Sequence, residues 1–365
     1  MSIIHDLLAL AVEVGASDVH IKAGQKAFFR INSLLQAASE DPYSADTVRA
    51  IVTDIVPAHA AARLTETHEA DFSLLEPEIG RFRVNVFYGQ NEPAIAFRHV
   101  KARIPTLEEL NLPEVLGSLI DVQRGIVILS GATGSGKSST LAALIGGINL
   151  KYERRIITVE DPIEFTFADV RSVITQREVG LDTISFTGAL RQVLRQDPDI
   201  ILIGEIRDAE TLRIALLASE TGHLVFTTLH ASSSSLAVPR LLDEFPQSER
   251  DQMRLSLAGN LQAIVCQRLI PDVDGVVIPA VEILFNTPTV KKILMLNKLD
   301  LLSAAIETGA EDGMQTFDMA IYKLIKEGRM AEAEGMEYAT NPDKLRMHLQ
   351  GIFLDDSRRI LSTLG

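Results

Sequence analysis

The stretch Gly131-Ala132-Thr133-Gly134-Ser135-Gly136-Lys137-Ser138 constrains this chain more than any other. It matches G-x-x-x-x-G-K-[ST], and the order has a chemical reason. Glycines at 131, 134 and 136 let the backbone wrap tightly and turn its N–H groups inward. Such a nest of donors suits phosphate oxygens. Lys137 supplies a cation for the outer phosphates, and Ser138 a hydroxyl for Mg²⁺. Thr133, Ser135 and Ser139 complete the loop and the first turn of the next helix, whose positive end favours an anion. The context agrees: Ile126 to Ser130 reads as a short apolar strand and Ser139 to Ile145 as helix. A loop so placed belongs to a nucleotide-binding α/β core, and the expected ligands are ATP and Mg²⁺.

Binding needs only the loop, whereas hydrolysis also needs carboxylates. Asp199-Ile200-Ile201-Leu202-Ile203-Gly204-Glu205 is an apolar strand ending in an acid, placed to hold the metal's water shell or the attacking water. A second strand, Ile156 to Glu160, runs into Asp161-Pro162-Ile163-Glu164, where Pro162 ends the strand and throws the acids into a loop. If the two strands are neighbours in a parallel sheet, both acid sets meet at its carboxyl end. His223 and His230 flank the strand Leu224 to Leu229. A histidine beside a strand is often structural, and one near the outer phosphate can instead report its presence. Arg81 and Arg83 share a strand face by period two, and Arg98 lies in the next strand. They read either as a solvated face or as arginines that stabilise charge on a transferring phosphoryl group.

The remaining pattern implies two domains. Residues 1–100 read as a small α+β domain: a helix over 4–14, strands at Asp18–Lys22 and Ala27–Ile31, a helix over Ala45–Ile55, and a hairpin from Arg81–Phe87 and Ala94–Val100. Residues 101–113, with two prolines and four charges, read as a linker. Residues 114–365 alternate strand and helix, as parallel strands covered by helices require, and turn mostly helical after about residue 285. Net charge is −14, from 49 acids and 35 bases, which argues against a phosphate-backbone partner and hence against nucleic acid. Cys266 is the only cysteine, so neither an internal disulfide nor a four-cysteine zinc site can form. The first residues lack a basic leader region, and no apolar run reaches the roughly 18 residues of a spanning helix. A cytoplasmic protein without direct membrane insertion is expected.

At this density the motifs resemble the secretion and pilus ATPase superfamily, and closely its PilT/PilU branch. The resemblance rests on the phosphate loop, on Ile157 to Phe165, Gln176 to Gly180, Leu194 to Asp199 and Gly204 to Asp208, and on Glu220 to His230. Ala16 to Ile21 and Arg81 to Asn85 extend it to the N-terminal region. It implies a PAS-like N-terminal domain, a RecA-like ATPase domain and a ring of six. It further implies that N-terminal arginines, here Arg83 and Arg98, complete a neighbour's site. The function implied is ATP-driven retraction of type IV pili, exerted at the inner membrane on a pilus platform protein. A paralogous retraction ATPase is a further partner.

On this reading Lys137 neutralises phosphate. Glu164 is the first choice for aligning and deprotonating water, and Glu205 holds the metal shell, although the two roles are interchangeable on sequence alone. Glu160 supports them, His230 attends the outer phosphate, and His223 is grouped with the nucleotide-binding residues. Some positions depart from the family pattern. Ala132 replaces a usual proline, Ala231 to Ser235 replaces a Thr-Asn-Ser run, and Thr289 to Met295 stands where the retraction branch carries Ala-Ile-Arg-Asn-Leu-Ile-Arg-Glu. The last departure keeps open a PilU-like accessory with little activity of its own. The assembly and secretion branch is less favoured, because it usually carries the four-cysteine element this chain lacks. A nucleic-acid motor on the same core is opposed by the acidic charge.

Overall fold

The computed structural model describes residues 4–31, 34–100 and 103–353. Residues 1–3, read above for a leader, and 101–102, at the start of the expected linker, lie outside that description, as do 354–365. The chain forms two compact units. One is Met1–Arg103 with Pro162–Thr166 and Glu178–Ile184, and the other is Ile104–Asp161 with Phe167–Arg177 and Ser185–Gly365.

The first unit contains α1 (His5–Glu13), β1 (Asp18–Lys22), β2 (Phe28–Ile31), β3 (Leu34–Ala37), α2 (Ala45–Ile55), α3 (Ala58–Thr67), β4 (Glu69–Glu76), β5 (Gly80–Gly89) and β6 (Glu92–Val100). The strands form one sheet in the order β3-β2-β1-β6-β5-β4, with every pairing antiparallel. Period-two alternation sends Val19, Ile21, Phe82, Val84, Val86, Ile95 and Phe97 into a core shared with Leu8, Val48 and Ile51 of the helices. Burying each such side chain contributes roughly 1.5–3 kcal/mol. Ser44 starts α2 by accepting the Thr47 N–H, which would otherwise be unpaired. The hairpin between β5 and β6 turns on Gln90 and Asn91, both at positive φ, as the tight two-residue turn demands. The α+β reading therefore holds. β3, β4 and α3 join the elements expected from the sequence.

The second unit opens on a 3-10 segment, Glu114–Asp121, and continues with β7 (Gly125–Ser130), α4 (Lys137–Lys151), β8 (Arg155–Glu160), β9 (Val173–Glu178) and α5 (Phe186–Val193). There follow β10 (Ile200–Ile203), α6 (Ala209–Glu220), β11 (Leu224–Leu229), α7 (Ser234–Asp243), α8 (Gln247–Asn260), β12 (Leu261–Pro271) and β13 (Val277–Phe285). The last elements are α9 (Pro288–Met295), α10 (Leu302–Thr308), α11 (Phe317–Lys326), α12 (Glu332–Tyr338) and α13 (Pro342–Leu349). The sheet order is β13-β12-β7-β11-β10-β8-β9. Strands β12, β7, β11, β10 and β8 run parallel, and β13 is antiparallel to β12. The central strands are buried along their whole length and are accordingly dominated by apolar residues, with Thr227 and Thr228 the polar pair in β11. Val127, Leu129, Leu202 and Phe226 share a core with Leu141, Leu144, Ile145 and Ile148 of α4. That packing fixes the helix whose first turn carries Lys137.

Candidate active site

Parallel pairing in register decides what meets at the carboxyl edge of this sheet. Ser130 ends β7 opposite Leu229, Thr227 lies opposite Ile203, and Ile203 opposite Val159. The residues that leave these strands therefore emerge side by side. They are the phosphate loop after β7, His230 after β11, Glu205 after β10, and Glu160 at the end of β8. With strands about 4.8 Å apart, the end of β10 lies about 10 Å and that of β8 about 14 Å from the end of β7. His230 stands between the loop and Glu205.

The loop is shaped by its glycines and held by its lysine. Gly131 has φ 140, and a Cβ there would come within 2.5 Å of the Gln267 carbonyl oxygen. Lys137 is buried in the first turn of α4, and its Nζ donates to the carbonyls of Gly131 at 2.9 Å and Ala132 at 2.8 Å. Its charge is thus fixed against the loop instead of ranging through solvent. The Ser135 hydroxyl is buried without a hydrogen-bond partner among the described residues. Leaving such a group unpaired costs about 1–3 kcal/mol, a cost that a phosphate oxygen in the loop removes. Thr133 and Gly134 are exposed on the loop, and Ser138 and Ser139 are half-buried beside Lys137.

The acids abut because Gly204 has no side chain. A Cβ on Gly204 would press on the Val159 carbonyl at 3.3 Å and on Glu160 Cα at 3.4 Å. Glu160 accepts from Thr158 Oγ1 at 2.6 Å and Gln176 Nε2 at 3.2 Å. Both oxygens of Glu205 face cationic or donor groups of the same chain. Arg207 Nε bonds Oε1, and His230 Nε2 lies 3.4 Å from Oε2. Arg207 also reaches Asp161 Oδ2 at 3.0 Å. The hydrogen bond to Glu205, more than the second one to Asp161, holds the Arg207 guanidinium above its ordinary pKa. The loop after His230 is tied back to β7, since the Ser130 hydroxyl donates to the Ala231 carbonyl and accepts its N–H, each at 3.0 Å.

These groups fit Mg²⁺. The Ser138 hydroxyl and the Glu205 carboxylate are hard oxygen donors, and Mg²⁺ takes few protein ligands while keeping much of its water. Among the described residues no group of three or more His, Cys, Asp or Glu side chains could hold a metal by itself. A metal here would be held jointly with phosphate oxygens.

One sequence-predicted residue is placed elsewhere. His223 precedes β11, at the amino edge of the sheet, a strand length of about 20 Å from the loop of its own chain. Its Nδ1 donates to the Ala218 carbonyl at 2.9 Å, closing the end of α6, and it borders a polar cavity of about 180 Å³ with Gln123, Arg154 and Asp199. The structure does not join it to the phosphate loop. Glu164 is exposed on Pro162–Thr166, which belongs to the first unit.

In that unit, Arg83 lies opposite Arg98, and Arg98 opposite Asp18, all on the sheet face away from the core. Two arginines side by side repel, and acids compensate. Arg98 Nε donates to Asp18 Oδ1 at 2.8 Å, and Arg83 stands 3.8 Å from Asp71. Sequence reasoning counted Asp161 among the strand-end acids without giving it a part of its own, and assigned no role to Asp18 or Arg207. Arg207 carried one signal: a cation two residues past Glu205 in a stretch already singled out.

Sheet, loop and acidic edge together define a P-loop ATPase with a RecA-like core. The description of the Type II/IV secretion system protein family matches residues 1–287, and the chain belongs to that family. It is 40% identical to the type IV pilus retraction ATPase PilT of Pseudomonas aeruginosa, over 93% of this chain and 99% of that one. It is equally 40% identical to the type IV pilus ATPase PilU of the same organism, over 94% of this chain and 90% of that one. A crystal structure of the pilus retraction motor PilT with bound ADP superposes with a TM-score of 0.88 at 37% identity, covering 95% of this chain and 99% of that one.

Proposed function

We propose that this chain is the ATP-hydrolysing subunit of a hexameric ring that powers retraction of type IV pili. One observation carries the reading: the phosphate loop, His230, Glu205 and Glu160 leave adjacent strands at one edge of the sheet, in a chain 40% identical to a pilus retraction ATPase along nearly its full length.

Phosphoryl transfer asks mainly for positioning and for neutral surroundings as charge moves. Lys137, held by its loop carbonyls, meets the outer phosphates. Ser138, and Glu205 through water, would hold Mg²⁺, whose charge would neutralise the phosphate oxygens. Glu164 or Glu205 orients the attacking water and takes its proton, with Glu160 alongside. His230, beside Glu205, registers whether the outer phosphate is present. Arg83 and Arg98 reach the site of a neighbouring subunit, so that no chain is complete alone. Residues 1–100 then act as one domain and 114–365 as the other, hinged over 101–113. Hydrolysis around the ring turns a platform protein at the cytoplasmic face of the inner membrane. On this reading that partner links the ring to the membrane; no helix among the described residues is long and apolar enough to cross one.

A second reading, an accessory motor that works with a paralogous retraction ATPase, is favoured by Thr289 to Met295 and by the equal identity to PilU. One experiment separates them. The native strain lacking this gene is complemented with wild type or with Lys137→Ala, while pilus retraction and purified turnover are measured. The main reading expects turnover by the wild-type chain alone, and retraction lost with Lys137→Ala. Turnover that appears only with the paralogue supports the accessory. Retraction unchanged by deletion removes the pilus role.

A further inference from the structure

On the proposed reading Glu205 meets the metal shell, yet in this structure each of its oxygens already faces a nitrogen of another side chain. Arg207 Nε occupies Oε1 and His230 Nε2 approaches Oε2. The arginine is also anchored at its other end, by Nη1 to Asp161 Oδ2 at 3.0 Å. The backbone just before it is held from the sheet: Ile206 N donates to the Thr228 carbonyl at 3.0 Å, and the Thr228 hydroxyl to the Gly204 carbonyl at 2.7 Å. Arg207 therefore spans the ends of β10 and β8, with one carboxylate from each. Three acids, Glu160, Asp161 and Glu205, crowd this edge because Gly204 lets the strands abut, and a cation between them relieves their repulsion. A guanidinium suits the place, because its planar fork bonds two carboxylates at once and stays charged.

We propose that Arg207 is an internal counter-cation that holds Glu205 until metal-bound nucleotide takes its place. It is a positioning residue. It offsets part of the negative charge of the acidic edge in the empty site, and its release frees Glu205 for the metal shell. The inference rests on the reading that Glu205 meets the metal. It adds that metal coordination is opposed by a competitor within the same chain. The pair is half exposed, and ion pairs of that kind are weak, so exchange costs little and stays reversible in each cycle. His230, on the other oxygen, would keep the carboxylate aimed along the sheet edge while Arg207 leaves.

The test is nucleotide binding, independent of turnover. Fluorescent ADP and a non-hydrolysable fluorescent ATP analogue are titrated into the full chain, with excess Mg²⁺ and with chelator. The ratio of the two affinities measures what the metal adds. In wild type that ratio is reduced by the work of displacing Arg207. Arg207→Gln should raise it about three- to fivefold, the size of a half-exposed ion pair. Arg207→Lys, which keeps the charge but cannot bridge two carboxylates, should raise it less. Thermal melts show which variants fold, and if Arg207→Gln does not, the lysine variant decides. A ratio equal to or below the wild-type value in the folded variants overturns the proposal. So does a selective loss of affinity for the ATP analogue over ADP, which would make Arg207 a phosphate ligand. A wild-type chain that binds nucleotide with Mg²⁺ but never hydrolyses it would defeat the motor reading and leave this ratio interpretable.

Discussion

Arg98 donates through Nε to Asp18 Oδ1 at 2.8 Å, although 80 residues separate them. Asp18 is 8% exposed and its second oxygen accepts from Ser17 Oγ at 2.8 Å, so the acceptor is fixed. The arginine side chain is 68% exposed. The pair thus holds the guanidinium by one edge and leaves the rest of it facing outward. Asp18→Asn should cost about 1 kcal/mol of stability, a modest loss for a pair with one exposed partner. It should lower kcat more than it raises KM, because it misplaces a group needed only during transfer. Urea denaturation and steady-state turnover measure the two. If kcat is unaltered, Arg98 does not depend on this anchor.

Arg83 is expected to act on a neighbour's nucleotide. Arg83→Ala should leave nucleotide binding nearly intact and reduce kcat on the order of 10³-fold. Mixing it with Lys137→Ala should restore part of the activity. A subunit with a sound loop then sits beside one with a sound arginine. Co-assembled mixtures that stay inactive count against Arg83 acting in trans. A dilution series of wild type accompanies the mixture, and turnover per subunit should fall as rings dissociate.

The two glutamates separate by their dependence on metal. Glu164→Gln and Glu205→Gln should each lower kcat about 10²- to 10⁴-fold, the usual range for a lost general base. Only Glu205→Gln should also raise the Mg²⁺ concentration needed for half-maximal nucleotide binding. The double variant should be little worse than either single, as for residues acting as a unit. If Glu164→Gln keeps near-normal turnover, Glu205 is the base.

Cys266 offers a probe of the sheet behind the loop. Its side chain is fully buried on β12, and Sγ donates to the Ala231 carbonyl at 3.4 Å. Burial, with the Glu282 carboxylate beside it, pushes the thiol from 9.0 up to about 12. Only the thiolate attacks thiol reagents at a useful rate, so native protein at pH 8 should resist them while denatured protein reacts at once. The sign of the linkage follows. The thiol's contribution to stability is complete below about pH 9 and is lost as pH rises towards 12, because the unfolded thiol ionises first. Fast labelling of the native chain at pH 8 would mean that β12 opens readily.

By itself the sequence determined what is local. The phosphate loop was legible because backbone wrapping, a fixed cation and a hydroxyl need particular residues at fixed spacing. Helix α2 was legible because Ser44 caps a periodic apolar stripe, and the β5–β6 pair because its residues alternate across one buried face. Strands β12 and β13 were not, since β12 is buried along most of its length and its apolar run carries no alternation. His223 and His230 look equivalent in sequence, seven residues apart at the two ends of a strand. The parallel direction of β11 sends one to the amino edge and the other to Glu205. The bridge of Arg207 from Glu205 to Asp161, and the hold of Asp18 on Arg98, likewise depend on which strands are neighbours. Periodicity reports the burial of one element at a time. Neighbours in a sheet are chosen by packing among segments far apart in the chain, so only the tertiary structure decided which charges meet.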